Sequence, residues 1–195
     1  KKTKYSKQEL TELYTVCQNH NIPIFIDGAR LGYGLMAKKN DVTFEDIANL
    51  CDVFYIGGTK VGALFGECIV ILNDLYKKDF RYAIKQHGGM LAKGRMLGIQ
   101  FEELFKDNRY LTISKHAIDM ADILTERFQS KGYRFYFPAE TNQIFPIFEN
   151  TKLEELSKEF AFTPWAKVDE THTAVRFVTS FATKRENVEY LLTKI

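Results

Sequence analysis

Three side chains stand where their types could do chemistry: Asp27, Lys60 and Arg176. Asp27 sits where the run "IPIFID" gives way to glycine. Ligands of open α/β sheets gather at the carboxyl ends of strands, so an acid there can touch one; it can equally cap its own turn. Lys60 follows a second run, "DVFYI", and lies in the stretch Tyr55–Glu67, which holds four glycines. Glycines let a backbone approach a planar or anionic group closely, and Thr59 adds a hydroxyl donor. A lysine desolvated there becomes a nucleophilic amine suited to Schiff-base chemistry; the alternative is a solvated loop lysine. Asp27 and Lys60 end consecutive strand units, so both can face one crevice. Arg176 lies inside "TAVRFVTSF", where burial requires an anionic partner: a ligand or an internal salt bridge. Arg30, just after the Asp27 turn, offers a second fork for a carboxylate. "KQHGGMLAKGR", opening at Lys85, sets glycines among cations, which suits an anion at a helix N-terminus. The four histidines form no cluster, and no serine elbow, Walker loop or dinucleotide fingerprint occurs.

The elements that must position these groups follow an α/β pattern. Ser6 and Glu9 have capping-box spacing before a helix whose Leu10, Leu13, Tyr14 and Cys17 share one face. "IPIFIDGAR" reads as a strand, "TFEDIANLC" as a helix opened by Thr43 and Asp46, and "DVFYI" and "ECIVIL" as strands. A parallel pair needs a crossover of about a dozen residues. Only ten, five of them glycine or alanine, separate "DVFYI" from "ECIVIL", so if those two pair they are antiparallel and the sheet is mixed. Helical spacing resumes in "DLYKKDFRYAIKQ" and, after Gly88-Gly89, in "MLAKGRMLGIQFEELF". A long helix near 111–131 carries Ile113, Ala117, Met120, Ala121, Leu124 and Phe128 on one stripe and ends at Gly132. "YRFYF", "NQIFPIF" and "TAVRFVTSF" read as strands, with helices near 152–160 and from Lys184. Residues 1–110 and 111–195 are thus expected to form two domains, the second a small α+β one, with no internal repeat.

Composition excludes several classes. There are 27 basic and 25 acidic residues, giving +2, which is not the strongly basic footprint of a nucleic-acid protein. The basic opening "KKTKYSK" reads as a solvated loop. Three dispersed cysteines argue against a disulfide framework and a zinc site, and fit a reducing cytoplasm. No apolar run approaches a membrane span, and no signal-like segment opens the chain. A cytoplasmic protein without metal, nucleic acid or membrane partner is the expectation.

In order, "IFIDGARLGYGL", "CDVFYIGGTKVGALFGE", "KQHGGMLAKGRMLGIQFEELF" and "AVRFVTSFAT" resemble the low-specificity threonine aldolase and β-eliminating lyase family. These are pyridoxal-phosphate enzymes of the aspartate-aminotransferase fold. The likeness spans nearly the whole chain, and the 33 residues from Asp27 to Lys60 match the aspartate-to-lysine interval usual in that fold. The resemblance implies a mixed, mainly parallel sheet in the large domain. It implies that Asp27 pairs with the pyridine nitrogen, Ala29 packs under the ring and Lys60 forms the Schiff base. Thr59 and Lys85 become further cofactor contacts, and Arg176, assisted by Arg30, holds the substrate α-carboxylate. The implied reaction is cleavage of the Cα–Cβ bond of threonine or allo-threonine to glycine and an aldehyde, in an oligomer. β-Elimination from another amino acid, and a truncated non-catalytic α/β module, remain as alternatives.

Two departures qualify the resemblance. The family's enzymes are much longer, and the part preceding "KKTKYSK" would carry the phosphate loop, the ring-stacking residue and the base for the β-hydroxyl. This chain is expected to be the C-terminal half of the large domain plus the small domain, binding cofactor weakly and turning over little alone. Many relatives also carry an arginine directly after the methionine of the glycine-rich stretch, where this chain has Leu91, with Lys93 the nearest following cation.

Overall fold

A computed structural model describes residues 4–195; Lys1–Thr3, part of the opening read as a solvated loop, lie outside the described residues. The chain packs as two compact units, Tyr5–Leu35 with Asn40–Ile113, and Met36–Lys39 with Ser114–Ile195.

The first of these is α/β. It runs through helix α1 (Lys7–Asn19), strand β1 (Phe25–Ile26), the short helices α2 (Leu31–Leu35) and α3 (Phe44–Asn49), strands β2 (Val53–Gly57) and β3 (Glu67–Ile71), and helices α4 (Phe80–Gln86) and α5 (Arg95–Phe105). The strands form one sheet in the order β1-β2-β3. β1 and β2 are parallel, joined by the crossover through α2 and α3, with Phe25 opposite Val53 and Ile26 opposite Phe54. β2 and β3 are antiparallel, as the short glycine-rich connection requires. Buried Asp52 clamps the far end of the strand pair: its carboxylate accepts the Ile24 amide at 2.8 Å and the Asn73 side-chain amide at 2.8 Å.

Both expected capping boxes close. The Ser6 hydroxyl accepts the Glu9 amide and the Glu9 carboxylate accepts the Ser6 amide; Thr43 and Asp46 do the same at α3. The expected apolar face of α1 is only half covered: Leu10, Tyr14 and Cys17 are half-buried, Leu13 is 41% exposed, and no residue of that helix is fully buried. Further on, the helix read in "DLYKKDFRYAIKQ" is broken. A 3₁₀ turn at Asp74–Tyr76 precedes Asp79, whose left-handed backbone (φ 57°) ends it before α4. α5 starts only at Arg95, after a turn in which the Gly94 amide donates to Leu91 O at 3.2 Å.

The second unit is α+β. Helix α6 (Arg109–Ser130) begins in the first unit and supplies the long amphipathic element of this one. It is followed by β4 (Gln143–Ile144), β5 (Ile147–Glu149), α7 (Asn150–Leu156), β6 (Thr163–Lys167), β7 (His172–Val178) and α8 (Arg185–Thr193). β4, β5 and β6 all pair antiparallel with β7. Ala117, Met120, Ala121, Leu124 and Phe128 of the expected stripe are buried, and Gly132 (φ 80°) closes the helix, with the Tyr133 amide donating to Phe128 O at 3.0 Å. Phe128 then packs edge-on to Phe148, ring centres 5.5 Å apart.

Proline accounts for part of the departure from expectation here. Pro146 has no amide to donate to β7, so "NQIFPIF" divides into β4 and β5. "YRFYF" contributes a single bridge, Phe135 to Pro146, flanked by the Tyr136 amide donating to Phe145 O at 2.8 Å and the Ile147 amide to Arg134 O at 2.9 Å. β6 carries Pro164 beside a register shift, so the stretch "TPWAK" forms a strand that its sequence does not announce. No helix among the described residues is long and apolar enough to cross a membrane.

Candidate active site

Asp27 is exposed at the end of β1, and its Oδ1 accepts two hydrogen bonds: from the Ala29 amide at 3.0 Å and from the Tyr55 hydroxyl on β2. Oδ2 has no hydrogen-bond partner among the described residues. The Tyr55 and Ala29 donors, with the nearby charges of Lys60 and Arg30, hold the Asp27 carboxyl below the usual carboxylate range. The same bond pushes the Tyr55 hydroxyl up to about 12, so it stays a donor.

The glycines here serve the chain's own packing. A Cβ on Gly28 would lie 1.7 Å from Tyr55 O, and one on Gly57 2.4 Å from Ala29 O. Only glycine at both positions lets the Asp27 turn lie against the end of β2, where the Gly57 amide donates to Gly28 O at 2.9 Å. The expectation that these glycines make room for a flat cofactor is therefore not needed to explain them.

Beyond Gly57 the chain turns through Gly58-Thr59-Lys60. Glu67 of β3 fastens the turn, its carboxylate accepting the Gly58 amide at 2.6 Å and the Thr59 hydroxyl at 3.3 Å. Buried Tyr33 of α2 donates its hydroxyl to the Lys60 carbonyl. Buried Tyr110 donates to Gly57 O at 3.0 Å and accepts the Gly32 amide at 3.2 Å, tying the loop after Asp27 to the loop before Lys60. Val61 beside it is fully buried, while the Lys60 side chain is exposed and forms no ion pair among the described residues. The backbone of Lys60 is thus fixed and its amine is left free.

Asp27, Ala29, Arg30, Thr59 and Lys60 therefore gather at one end of the β1-β2 pair. Lys85 lies exposed on α4, and no hydrogen bond or ion pair among the described residues links it to them. Arg176 belongs to the second unit, at the middle of β7 opposite Thr163. Its guanidinium reaches only neutral groups, Gln143 Oε1 at 3.5 Å and Thr163 Oγ1 at 3.4 Å, and lies 5.9 Å from the centre of the Trp165 ring. Its Nε is buried without a partner, and no carboxylate among the described residues pairs with it, so an internal salt bridge is not the reason for it. A cavity of about 380 Å³ lined by Lys131, Tyr133, Arg134, Glu149, Lys152 and His172 contains none of these groups, so the candidate site rests on its chemistry. Tyr33, Tyr55, Glu67 and Tyr110 were missed in the sequence. For Tyr33 and Tyr110 the available signal was a hydroxyl in otherwise apolar surroundings, which needs a partner when buried; no local pattern marked Tyr55 or Glu67.

The sequence profile of the β-eliminating lyase family matches residues 3–151. The chain belongs to this family. It is 30% identical over 156 residues to a low specificity L-threonine aldolase of a Pseudomonas species, covering 78% of this chain and 44% of that one. The structure of a threonine aldolase from Leishmania major superposes with a TM-score of 0.95 at 42% identity, over 98% of this chain and 56% of that one. An aspartate aminotransferase from Thermotoga maritima matches in fold alone, with a TM-score of 0.66 at 17% identity. The chain spans about half the length of these relatives.

The β-eliminating lyases are pyridoxal-phosphate enzymes, and the donor set fits that cofactor. An ionised carboxylate with one free oxygen and a free lysine amine, close enough for their charges to interact, suit a protonated ring nitrogen and an aldehyde.

Proposed function

We propose that the full-length protein containing this chain is a pyridoxal-phosphate lyase that cleaves the Cα–Cβ bond of β-hydroxy amino acids such as threonine or allo-threonine, releasing glycine and an aldehyde. The observation that carries the reading is the Asp27 carboxylate, held ionised with Oδ2 unpartnered, beside a turn that fixes the Lys60 backbone and leaves its amine free. When bound, the cofactor supplies an electron sink for the pair released by the breaking bond.

The chain's own residues divide the rest of the work. Asp27 would keep the cofactor's ring nitrogen protonated, and Ala29 would contact the ring. Lys60 would hold the cofactor through its amine and serve as a proton carrier. Arg176, with Arg30 assisting, binds the substrate α-carboxylate and so sets which bond at Cα is aligned for cleavage; the buried, unpartnered Nε of Arg176 supports a missing anion. Thr59 and Lys85 serve the cofactor more loosely, and Thr59 does so only by giving up its long bond to Glu67. In this reading residues 1–110 are the C-terminal part of a mainly parallel cofactor domain, 111–195 the small domain, and the whole a cytoplasmic oligomer.

The full-length protein, given pyridoxal phosphate and threonine or allo-threonine, is expected to release glycine and acetaldehyde and to show a visible cofactor band that Lys60→Ala abolishes. A protein with neither band nor products refutes the reading. A second reading, elimination of another β-substituent, draws on the family's own description and uses the same residues; ammonia and a keto acid in place of glycine would identify it.

A further inference from the structure

We propose that Tyr55 is a positioning residue for Asp27, occupying one carboxylate oxygen so that the other alone is presented to the cofactor's ring nitrogen. This rests on the cofactor reading above.

Three observations carry it. The Tyr55 hydroxyl and the Ala29 amide both donate to Oδ1, and nothing among the described residues donates to Oδ2. A carboxylate on an exposed turn would otherwise rotate freely about its terminal bond; two donors on one oxygen from different directions remove that freedom. The tyrosine is itself held, since its ring packs against Phe25 with centres 6.0 Å apart, and Gly28 brings its backbone into contact with the Asp27 turn. The site also constrains the direction of the bond. The shared hydrogen bond leads in holding the Asp27 carboxyl down and the Tyr55 hydroxyl up. The charges of Lys60 and Arg30 on the aspartate and of Glu67 on the tyrosine add in the same sense, which keeps the negative charge on Asp27 and the proton on Tyr55. Tyr55 therefore steadies the carboxylate as a charge without competing for the ring nitrogen's proton.

Tyr55→Phe keeps the ring and its packing on Phe25 and deletes only the donor. In the full-length holoenzyme it is expected to weaken pyridoxal-phosphate binding by about tenfold or more, the scale of a hydrogen bond to a charged group. In an Asp27→Asn background the same change is expected to alter the affinity by less than about twofold, because the ion that Tyr55 steadies is gone. In the cofactor-free protein, the Asp27 side-chain carbon followed by NMR is expected to titrate at higher pH in Tyr55→Phe, and at lower pH with 3-fluorotyrosine, a stronger donor, at position 55. An unchanged titration, or an equal loss of affinity in both backgrounds, refutes the role of Tyr55. A wild-type protein that shows the Asp27 titration effect but no visible cofactor band refutes the cofactor reading, and the proposal with it.

Discussion

Lys60 is a lysine whose backbone is more constrained than its side chain. Its carbonyl is held by the Tyr33 hydroxyl, its neighbour Val61 is fully buried, and the loop before it is tied by Tyr110. Tyr33 is 1% exposed, so Tyr33→Phe deletes the donor to the Lys60 carbonyl from a buried position, and a lost partner of this kind costs about 1–3 kcal/mol. Urea unfolding of Tyr33→Phe should show a lower midpoint with an unchanged slope; an unchanged midpoint would mean that solvent replaces the hydroxyl. The candidate groups stand out in the sequence through the order and spacing of the motifs around them, because an acid at a strand end can equally cap its turn and a loop lysine is ordinarily solvated. The tyrosines that hold them do not. Tyr33 and Tyr110 are separated by 77 residues, and no local pattern reveals that both serve one turn.

At the scale of elements, the two capping boxes make a controlled comparison. Thr43 opens α3, which fully buries Ile47; Ser6 opens α1, which has no fully buried residue and only half-buries Leu10, Tyr14 and Cys17. Removing a cap costs about 1 kcal/mol where the helix is coupled to the core. Thr43→Ala is therefore expected to lower global stability by about that amount, whereas Ser6→Ala should speed amide exchange within α1 and leave the unfolding midpoint nearly unmoved. Equal losses in both would show that α1 is coupled to the core after all. Caps are local, and both were read correctly from residues three apart. The antiparallel pairing of β2 and β3 was legible too, since ten residues cannot hold a helical crossover. What could not be read was pairing that depends on a distant partner: β6 forms despite Pro164 because β7 pairs with it, and "YRFYF" contributes one bridge, to Pro146, rather than a strand.

Across the whole molecule, the three cysteines remain free thiols, and they differ in reach. Cys51 is buried, and burial pushes its thiol up to about 11; Cys17 and Cys68 are half-buried, and burial raises Cys68 as well. Titration of the native protein with a thiol reagent at neutral pH should label Cys17 first and Cys51 only on unfolding; early labelling of Cys51 would show that this part of the core opens readily. The connectivity carries one more implication, for the order in which the protein is made. The turn bearing Lys60 is closed by Tyr110, which leaves the ribosome 50 residues later. At a synthesis rate of about 5–20 residues per second, the strand ends with Asp27 and Lys60 wait roughly 2–10 s for the hydroxyl that locks them together. During that interval a nascent chain displays the Lys60 amine on an unfinished frame, so the candidate site is completed only after Tyr110 has been translated.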